Sequence, residues 1–322
     1  MMLAILYTGV YNVMYTRYKC KQSEQNCLGV KMNTIMLKAY AKINLGLDVL
    51  GKREDGYHEV RMIMQTIRLY DKLNMKKINK DEVIINTNLT YLPTNENNLV
   101  YKAVQMLKDE YNLKQGICVD LQKHIPVAAG LAGGSSDAAA ALIGMNRLFQ
   151  LKLTKKDLME RAVKLGADIP YCILGGTALS EGIGEILTPL DPMPCAYILI
   201  AKPPINVSTK YVYENLKLDE QTIHPDIDGI MEAIGKKDLC GVSNRLSNVL
   251  ESVTIEKYPV IQEIKDTMMR YGAMNSLMSG SGPTVFGVFQ DLNLAKKAFY
   301  QLKVQGKAKQ IYLTDIFNRK RG

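Results

Sequence analysis

The run Pro126-Val-Ala-Ala-Gly-Leu-Ala-Gly-Gly-Ser-Ser-Asp137, continued by Ala138 to Leu142, constrains this chain more than any other segment. Glycines and serines just ahead of an alanine-rich stretch predict a flexible loop that opens a helix and leaves the backbone N–H groups of its first turn free. Aligned peptide dipoles place partial positive charge at such a helix start, and missing Cβ atoms let the main chain close around an anion. The segment therefore reads as an anion cradle. The same small residues also let a helix lie close against a neighbour, and that reading stands beside the first.

Neither common nucleotide signature is present. A Walker A loop needs Gly-Lys-Ser/Thr at the helix start, whereas Gly134 is followed by Ser135. The loop contains no G-x-G-x-x-G, so a dinucleotide-binding fold loses its main support. What remains is a phosphate loop of another class, relying on backbone amides and hydroxyls.

With 322 residues the chain is long enough for about two domains. Its 47% hydrophobic and 23% charged content is that of a soluble globular protein and excludes disordered and fibrous classes. The net charge of +9 would suit any polyanion, but the lysines are scattered and the aromatic residues are not interleaved with basic ones. A phosphorylated small molecule is therefore expected, and not nucleic acid. Cys20, Cys27, Cys118, Cys172, Cys195 and Cys240 form no C-x-x-C pair and have no histidine at zinc spacing. They read as reduced, mostly buried thiols of a cytoplasmic protein.

Met1 to Val13 is apolar but short, is interrupted by Thr8 and Asn12, and has no basic residue before it. Neither a secretory leader nor a membrane span is expected there. Residues 1–35 read as an N-terminal extension, with the fold beginning near Met36. From Leu37 the residues alternate, with Leu37, Ala39, Ala41, Ile43 and Leu45 on one side and Lys38, Tyr40, Lys42 and Asn44 on the other. This predicts a half-buried strand with a polar working face. Gly51 to Gly56 is turn chemistry and Val60 to Tyr70 a returning strand, so the pair reads as a hairpin. Further strands are expected over Val83–Asn86, Gly116–Gln122 and Ala196–Ala201, with strand, glycine turn and strand over Ser276–Phe289.

Helical spacing runs through Asn98–Tyr111, Asp228–Ile234 and Val260–Tyr271. Thr154–Leu165 adds a helix whose Thr154 and Asp157 are set as a capping box and whose end is placed at Gly166. Asp168-Ile-Pro170 follows, and the proline predicts a rigid turn that holds Asp168. Three prolines between Thr188 and Pro194 mark a domain junction. The expected division is 36–187 for a nucleotide-binding domain and 188–322 for a substrate domain, whose last strand could return to the first domain. Helices and strands without regular βαβ alternation predict the α+β class.

Three blocks together carry a resemblance. Lys38-Ala-Tyr-Ala-Lys-Ile-Asn-Leu45 with Asp55-Gly-Tyr-His58, the loop from Pro126 to Ala139, and Met278-Ser-Gly-Ser-Gly-Pro-Thr284 resemble the three motifs of the GHMP small-molecule kinases. Their order, with Gly166-Ala-Asp-Ile-Pro170 between the second and third, is specific. The match runs from about Met36 to near the C-terminus and is closest to the branch whose acceptor is a cytidine-diphosphate-linked methylerythritol. The resemblance implies two α+β lobes with the active site in the cleft between them. It also implies transfer of the γ-phosphoryl of ATP to a hydroxyl of that acceptor, on the non-mevalonate route to isoprenoid precursors. Partners are then ATP and a small molecule, with a monomer or homodimer as the assembly.

Phosphoryl transfer asks mainly for positioning and charge stabilisation, with a carboxylate to orient or deprotonate the attacking hydroxyl. By resemblance Asp168 is the catalytic base and Lys42 the catalytic lysine, where an ammonium would neutralise developing charge. Asn44 shares the polar strand face with Lys42 and is expected to bond the acceptor's hydroxyls. The resemblance stacks Tyr57 on cytosine and sets His58 at the base edge, with Thr209 and Tyr213 on the other side of the base. Pro126, Gly130, Leu131, Ala132, Gly133, Gly134, Ser135 and Ser136 would cradle ATP phosphates, and Lys123 matches a lysine near the nucleotide base. Ser279, Gly280, Ser281 and Gly282 would line the phosphate and substrate cleft. ATP implies Mg²⁺, yet no acidic cluster marks its ligands, and no metal ligand is named. Competing readings are a homoserine or mevalonate kinase of the same superfamily and a non-catalytic nucleotide sensor.

Overall fold

The computed structural model describes residues 33–318, which belong to the compact unit Asn33–Gly322. The expected N-terminal extension therefore lies outside the described residues except for its last three positions, and β1 starts at Thr34. In chain order the elements are β1 (Thr34–Lys52), β2 (His58–Ile78), β3 (Val83–Thr87), α1 (Leu99–Glu110), β4 (Gly116–Gln122), α2 (Gly133–Phe149), α3 (Lys155–Ala162) and α4 (Asp168–Leu174). They continue with β5 (Thr177–Glu181), β6 (Ile186–Pro189), β7 (Tyr197–Lys202), α5 (Thr209–Asn215), α6 (Ile227–Gly235), α7 (Leu239–Asn244), β8 (Ser247–Asn248) and α8 (Glu251–Lys257). The last are α9 (Val260–Arg270), β9 (Asn275–Met278), β10 (Val285–Phe289), α10 (Leu292–Gln305) and β11 (Gln310–Asp315).

Among the described residues these strands form two sheets, one ordered β3-β4-β2-β1-β8 with β5 joined to β2 and β6 to β5, the other ordered β11-β7-β10-β9. The mixture is the expected α+β class. The long β1–β2 hairpin pairs Thr34 with Lys76 at one end and Lys52 with His58 at the other. Thr188–Pro194 carries the chain from β6 in the first sheet to β7 in the second. Two later segments come back: β8 pairs in parallel with Gly46 and Leu47, and Ile316 bridges Ile67. Strand β11 itself stays on the second sheet.

Four expectations are corrected. Strand β1 is buried on both faces from Ala41 to Val49, because α4 and the Ser279–Gly282 turn close over the polar side. Helix α3 ends at Ala162, and Gly166 lies beyond it, donating its N–H to the Ala162 carbonyl without a left-handed φ. Asp168 opens helix α4 where a rigid turn was expected: Pro170 falls in the first turn, where a missing N–H costs nothing. The described thiols are less buried than expected, since Cys195 and Cys240 are exposed and Cys118 and Cys172 half-buried, while Cys20 and Cys27 lie outside the described residues. Cys195 stands on a connecting loop and Cys240 on the short helix α7, where little covers a side chain.

Helix α2 reconciles the two readings of the glycine run. A methyl group at Gly144 would meet Met75 Sδ at 2.2 Å, and Ala138 to Ala141 are buried beside it, so small residues do press this helix onto the sheet. Its N-terminus does something else. Ala132 takes the cap position with no side-chain acceptor, and the N–H groups of Gly133, Gly134 and Ser135 meet no acceptor among the described residues. Close packing of the body thus holds an uncapped terminus in place.

Candidate active site

A cleft of about 900 Å³ opens at that terminus, and its wall includes Lys42, Tyr57, His58, Gly130, Ala132 to Ser135, Asp168, Thr209 and Tyr213. Lys123, Pro126, Gly280 and Ser281 also line it. Leu131, Ser136, Asn44, Ser279 and Gly282 are not on the wall. They stand just behind it: the Leu131 carbonyl accepts from Lys42 N–H at 3.2 Å, and Ser136 Oγ donates to the Gly133 carbonyl at 3.3 Å.

Lys42 is 5% exposed and donates to Asn44 Oδ1 at 2.7 Å. Its ammonium stands 4.0 Å from Asp168 Oδ2, and the Asp168 side chain keeps 35% of its surface. The ammonium is thus buried, while the carboxylate beside it keeps an open face for substrate. Tyr171, one turn along α4, anchors the helix from below by donating to the Gly176 carbonyl at 2.7 Å and standing 3.0 Å from Thr66 Oγ1.

The two glycine-rich turns interlock. Gly130 has φ +72°, and a Cβ there would sit 2.0 Å from the Ser279 carbonyl oxygen. Only glycine admits that approach. Ser279 Oγ donates to the Gly130 carbonyl at 2.8 Å, so the third motif braces the second. Thr209 at the start of α5 meets Ser281 across the cleft, hydroxyl to hydroxyl, at 2.8 Å.

On another stretch of wall, Tyr57 N–H donates to Asp55 Oδ1 at 3.0 Å, fixing the turn that presents a ring 60% exposed. The rings of His58 and Tyr213 stand 5.0 Å apart, tilted by 41°. Burial, then the nearby Lys52, hold the His58 imidazole below its ordinary pKa, so it is neutral at pH 7. Burial, then the charge of Asp168, push the Tyr213 phenol up to about 12. A neutral imidazole and phenol give a flat surface with a donor and an acceptor, which suits a heterocyclic base. The other histidine rings are not on the cleft wall: His224 bonds Asp48 at 2.8 Å, and the His124 backbone N–H donates to Asp71.

Lys123 is placed differently from a lysine free to touch a base. Its ammonium is locked between Asp71 and Asp137, the latter at 2.6 Å, with all three side chains almost fully buried. Burial alone would lower its pKa, but Asp137 and Asp71 outweigh burial and raise it. Burial pushes the Asp137 carboxyl well above its usual range, with Lys123 opposing and Asp71 adding. Asp71 also accepts the Ile125 N–H at 2.8 Å, so this cluster pins both ends of the glycine-rich loop to β2.

Leu92, Pro93, Asn97 and Leu99 also line the wall, and the sequence reading gave none of them a place at the site. Leu-Pro-Thr-Asn-Glu-Asn-Asn has no periodicity that would mark it. Asn98 beside them is occupied as the cap of α1, accepting from Val100 N–H at 2.8 Å. Among the described residues no three His, Cys, Asp or Glu side chains converge on a metal. None of their helices is long and apolar enough to cross a membrane.

Residues 98–176 match the GHMP kinases N terminal domain and residues 225–308 the GHMP kinases C terminal domain. The 4-diphosphocytidyl-2-C-methyl-D-erythritol kinase of Lachnoclostridium phytofermentans is 60% identical over 289 residues, covering 90% of this chain and 99% of the relative. This chain belongs to the GHMP kinases. The Lachnospira eligens 4-diphosphocytidyl-2-C-methyl-D-erythritol kinase is 59% identical, covering 89% of this GHMP kinase and 99% of that protein. A crystal structure of 4-(cytidine 5'-diphospho)-2C-methyl-D-erythritol kinase superposes with a TM-score of 0.76 at 29% identity, covering 88% of this chain and all of that one. A homoserine kinase from Cytophaga hutchinsonii gives 0.75 at 20% identity, a likeness of fold alone.

Proposed function

We propose that this GHMP kinase transfers the γ-phosphoryl of ATP to a hydroxyl of 4-diphosphocytidyl-2-C-methyl-D-erythritol. The observation that carries the reading is one cleft holding an uncapped helix N-terminus, the Lys42–Asp168 pair and the His58–Tyr213 ring pair. Relatives of that name at 60% and 59% identity support it.

In this reading the amides of Gly133, Gly134 and Ser135 receive phosphate oxygens, and Leu92, Pro93, Asn97 and Leu99 offer a surface for adenine. The acceptor's cytosine lies against Tyr57, His58 and Tyr213. Its hydroxyl is oriented by Asp168, while Asn44, buried behind the wall, steadies the Lys42 ammonium through its Oδ1. As the hydroxyl oxygen bonds to the γ-phosphorus, the bond to the β,γ-bridging oxygen breaks and ADP departs. The hydroxyl proton passes to the Asp168 carboxylate while Lys42 offsets charge on the transferring group. Mg²⁺ entering with ATP would neutralise phosphate charge, and with no group of three acidic side chains among the described residues to hold it, phosphate oxygens and water would supply most of its ligands. Nucleotide is held by 36–187 in this proposal, and the acceptor lies between Tyr57, His58 and Asp168 of that segment and Thr209, Tyr213 and Ser281 of 188–322.

The deciding assay offers ATP with the cytidine-linked alcohol, homoserine or mevalonate and follows ADP. Turnover confined to the first is expected. Turnover of homoserine or mevalonate alone would overturn the acceptor assignment, and tight binding of ATP and acceptor without turnover would favour a sensor.

His58 adds a pH signature. Because its ordinary value is 6.5 and the folded value lies lower, the ring stays neutral at pH 7 and protonates only on acidification. The KM for the acceptor is expected to rise below that range while the KM for ATP holds. His58→Asn should raise the acceptor KM at pH 7 and remove its acid dependence; an unchanged acid profile would discount His58.

A further inference from the structure

Asn248 lies outside the cleft wall, yet its side chain holds the turn that forms part of it. Its Nδ2 donates both to the Met278 carbonyl at 2.9 Å and to the Gly280 carbonyl at 2.8 Å. Its Oδ1 is engaged by Leu250 N–H at 3.0 Å, which fixes which end of the amide faces the turn. Glu251 assists by accepting Met278 N–H at 2.8 Å, while Lys265 donates to its other oxygen at 2.6 Å. The carrier of Asn248 is β8, paired in parallel with Gly46 and Leu47, just beyond Lys42 and Asn44 on β1.

The Gly280–Ser281 peptide is trans, so its carbonyl and its N–H point to opposite sides. With the Gly280 carbonyl drawn onto Asn248, the Ser281 N–H points to the side of the peptide opposite Asn248. Neither this N–H nor that of Gly280 meets an acceptor among the described residues, and both residues line the cleft. The Ser281 hydroxyl is already taken by Thr209. Two successive unpaired amides in a tight turn form an anion-binding concavity.

We propose that Asn248 is a positioning residue: by holding the Gly280 carbonyl it aims the Ser281 N–H into the cleft as a donor to phosphate oxygens. The proposal rests on the cleft being a phosphoryl-transfer site. Those oxygens belong either to ATP or to the acceptor's diphosphate, and the two are separated by experiment.

Labelled full-length protein is titrated with ADP and, separately, with CDP while the Ser281 amide proton is followed by NMR. One of the two is expected to move it downfield. Asn248→Asp keeps the size but sets a carboxylate against two carbonyl oxygens; it should weaken that same nucleotide about tenfold, the worth of one hydrogen bond to a charged group. Glu251→Gln keeps an acceptor for Met278 N–H and should lower the thermal midpoint with nucleotide affinity unchanged, separating general loosening from loss of aim. The proposal is overturned if neither nucleotide moves the Ser281 amide, or if Asn248→Asp binds both as the wild type does. Should Asn248→Asp fail to fold, the amide titration decides alone. Wild-type turnover with ATP tests the kinase reading independently of either arm.

Discussion

Asp168→Asn is expected to lower kcat by about a thousandfold, within the range that a positioned general base contributes. The substitution keeps the size of the side chain and its place at the start of α4, where Tyr171 anchors the helix through Gly176. What it removes is the proton acceptor and the negative charge 4.0 Å from Lys42. The amides at the start of α2 and the interlock of Gly130 with Ser279 are untouched, so ADP should bind as it does to the wild type. Single-turnover rates and calorimetric ADP binding would check the two halves separately. A variant that turns over normally would remove Asp168 as the base, and one that loses ADP binding as well would assign it to nucleotide binding.

The second large effect is on stability. Lys123→Met should destabilise the protein by about 3–5 kcal/mol, the usual cost of leaving buried charge unpaired. Asp71 and Asp137 would then face each other across the cluster with no cation between them. The effect carries a pH sign. A carboxyl whose folded pKa is raised, as that of Asp137 is by burial, contributes stability that is full below its unfolded value and is lost as pH rises through the folded value. Lys123 opposes that rise in the wild type. Its removal raises the folded value further, so the deficit should be smaller at about pH 5 than at about pH 8. Urea unfolding of the full chain at both values would measure it, and a pH-independent deficit would rule out the carboxylates as its cause.

Local signals were legible where neighbours in sequence settle the outcome. Thr154 and Asp157 form the capping box their spacing implies, with Thr154 N–H donating to Asp157 at 2.7 Å and Asp157 N–H donating back at 3.2 Å. The alternation from Leu37 marked β1, but not that its polar side would be covered. Pro170 predicts a rigid turn and stands in the first turn of α4, because sequence alone cannot tell a turn after one helix from the start of the next.

Residue types and their order along the chain were enough to place a glycine-rich loop ahead of a helix without a Walker lysine, a strand bearing Lys42 and Asn44, a turn carrying Tyr57 and His58, and the α+β class. These depend on backbone chemistry at fixed short spacing. Only the tertiary structure decided what the lysines and amides are for. Lys123 reads as a lysine beside a nucleotide and stands locked between Asp71 and Asp137, the first 52 residues away along the chain. Asn248 carries no motif, yet it holds a turn some thirty residues later, through bonds to Met278 and Gly280. A lysine or an asparagine has no local pattern that announces its partner, because the partner is chosen by which strands and turns meet in the fold.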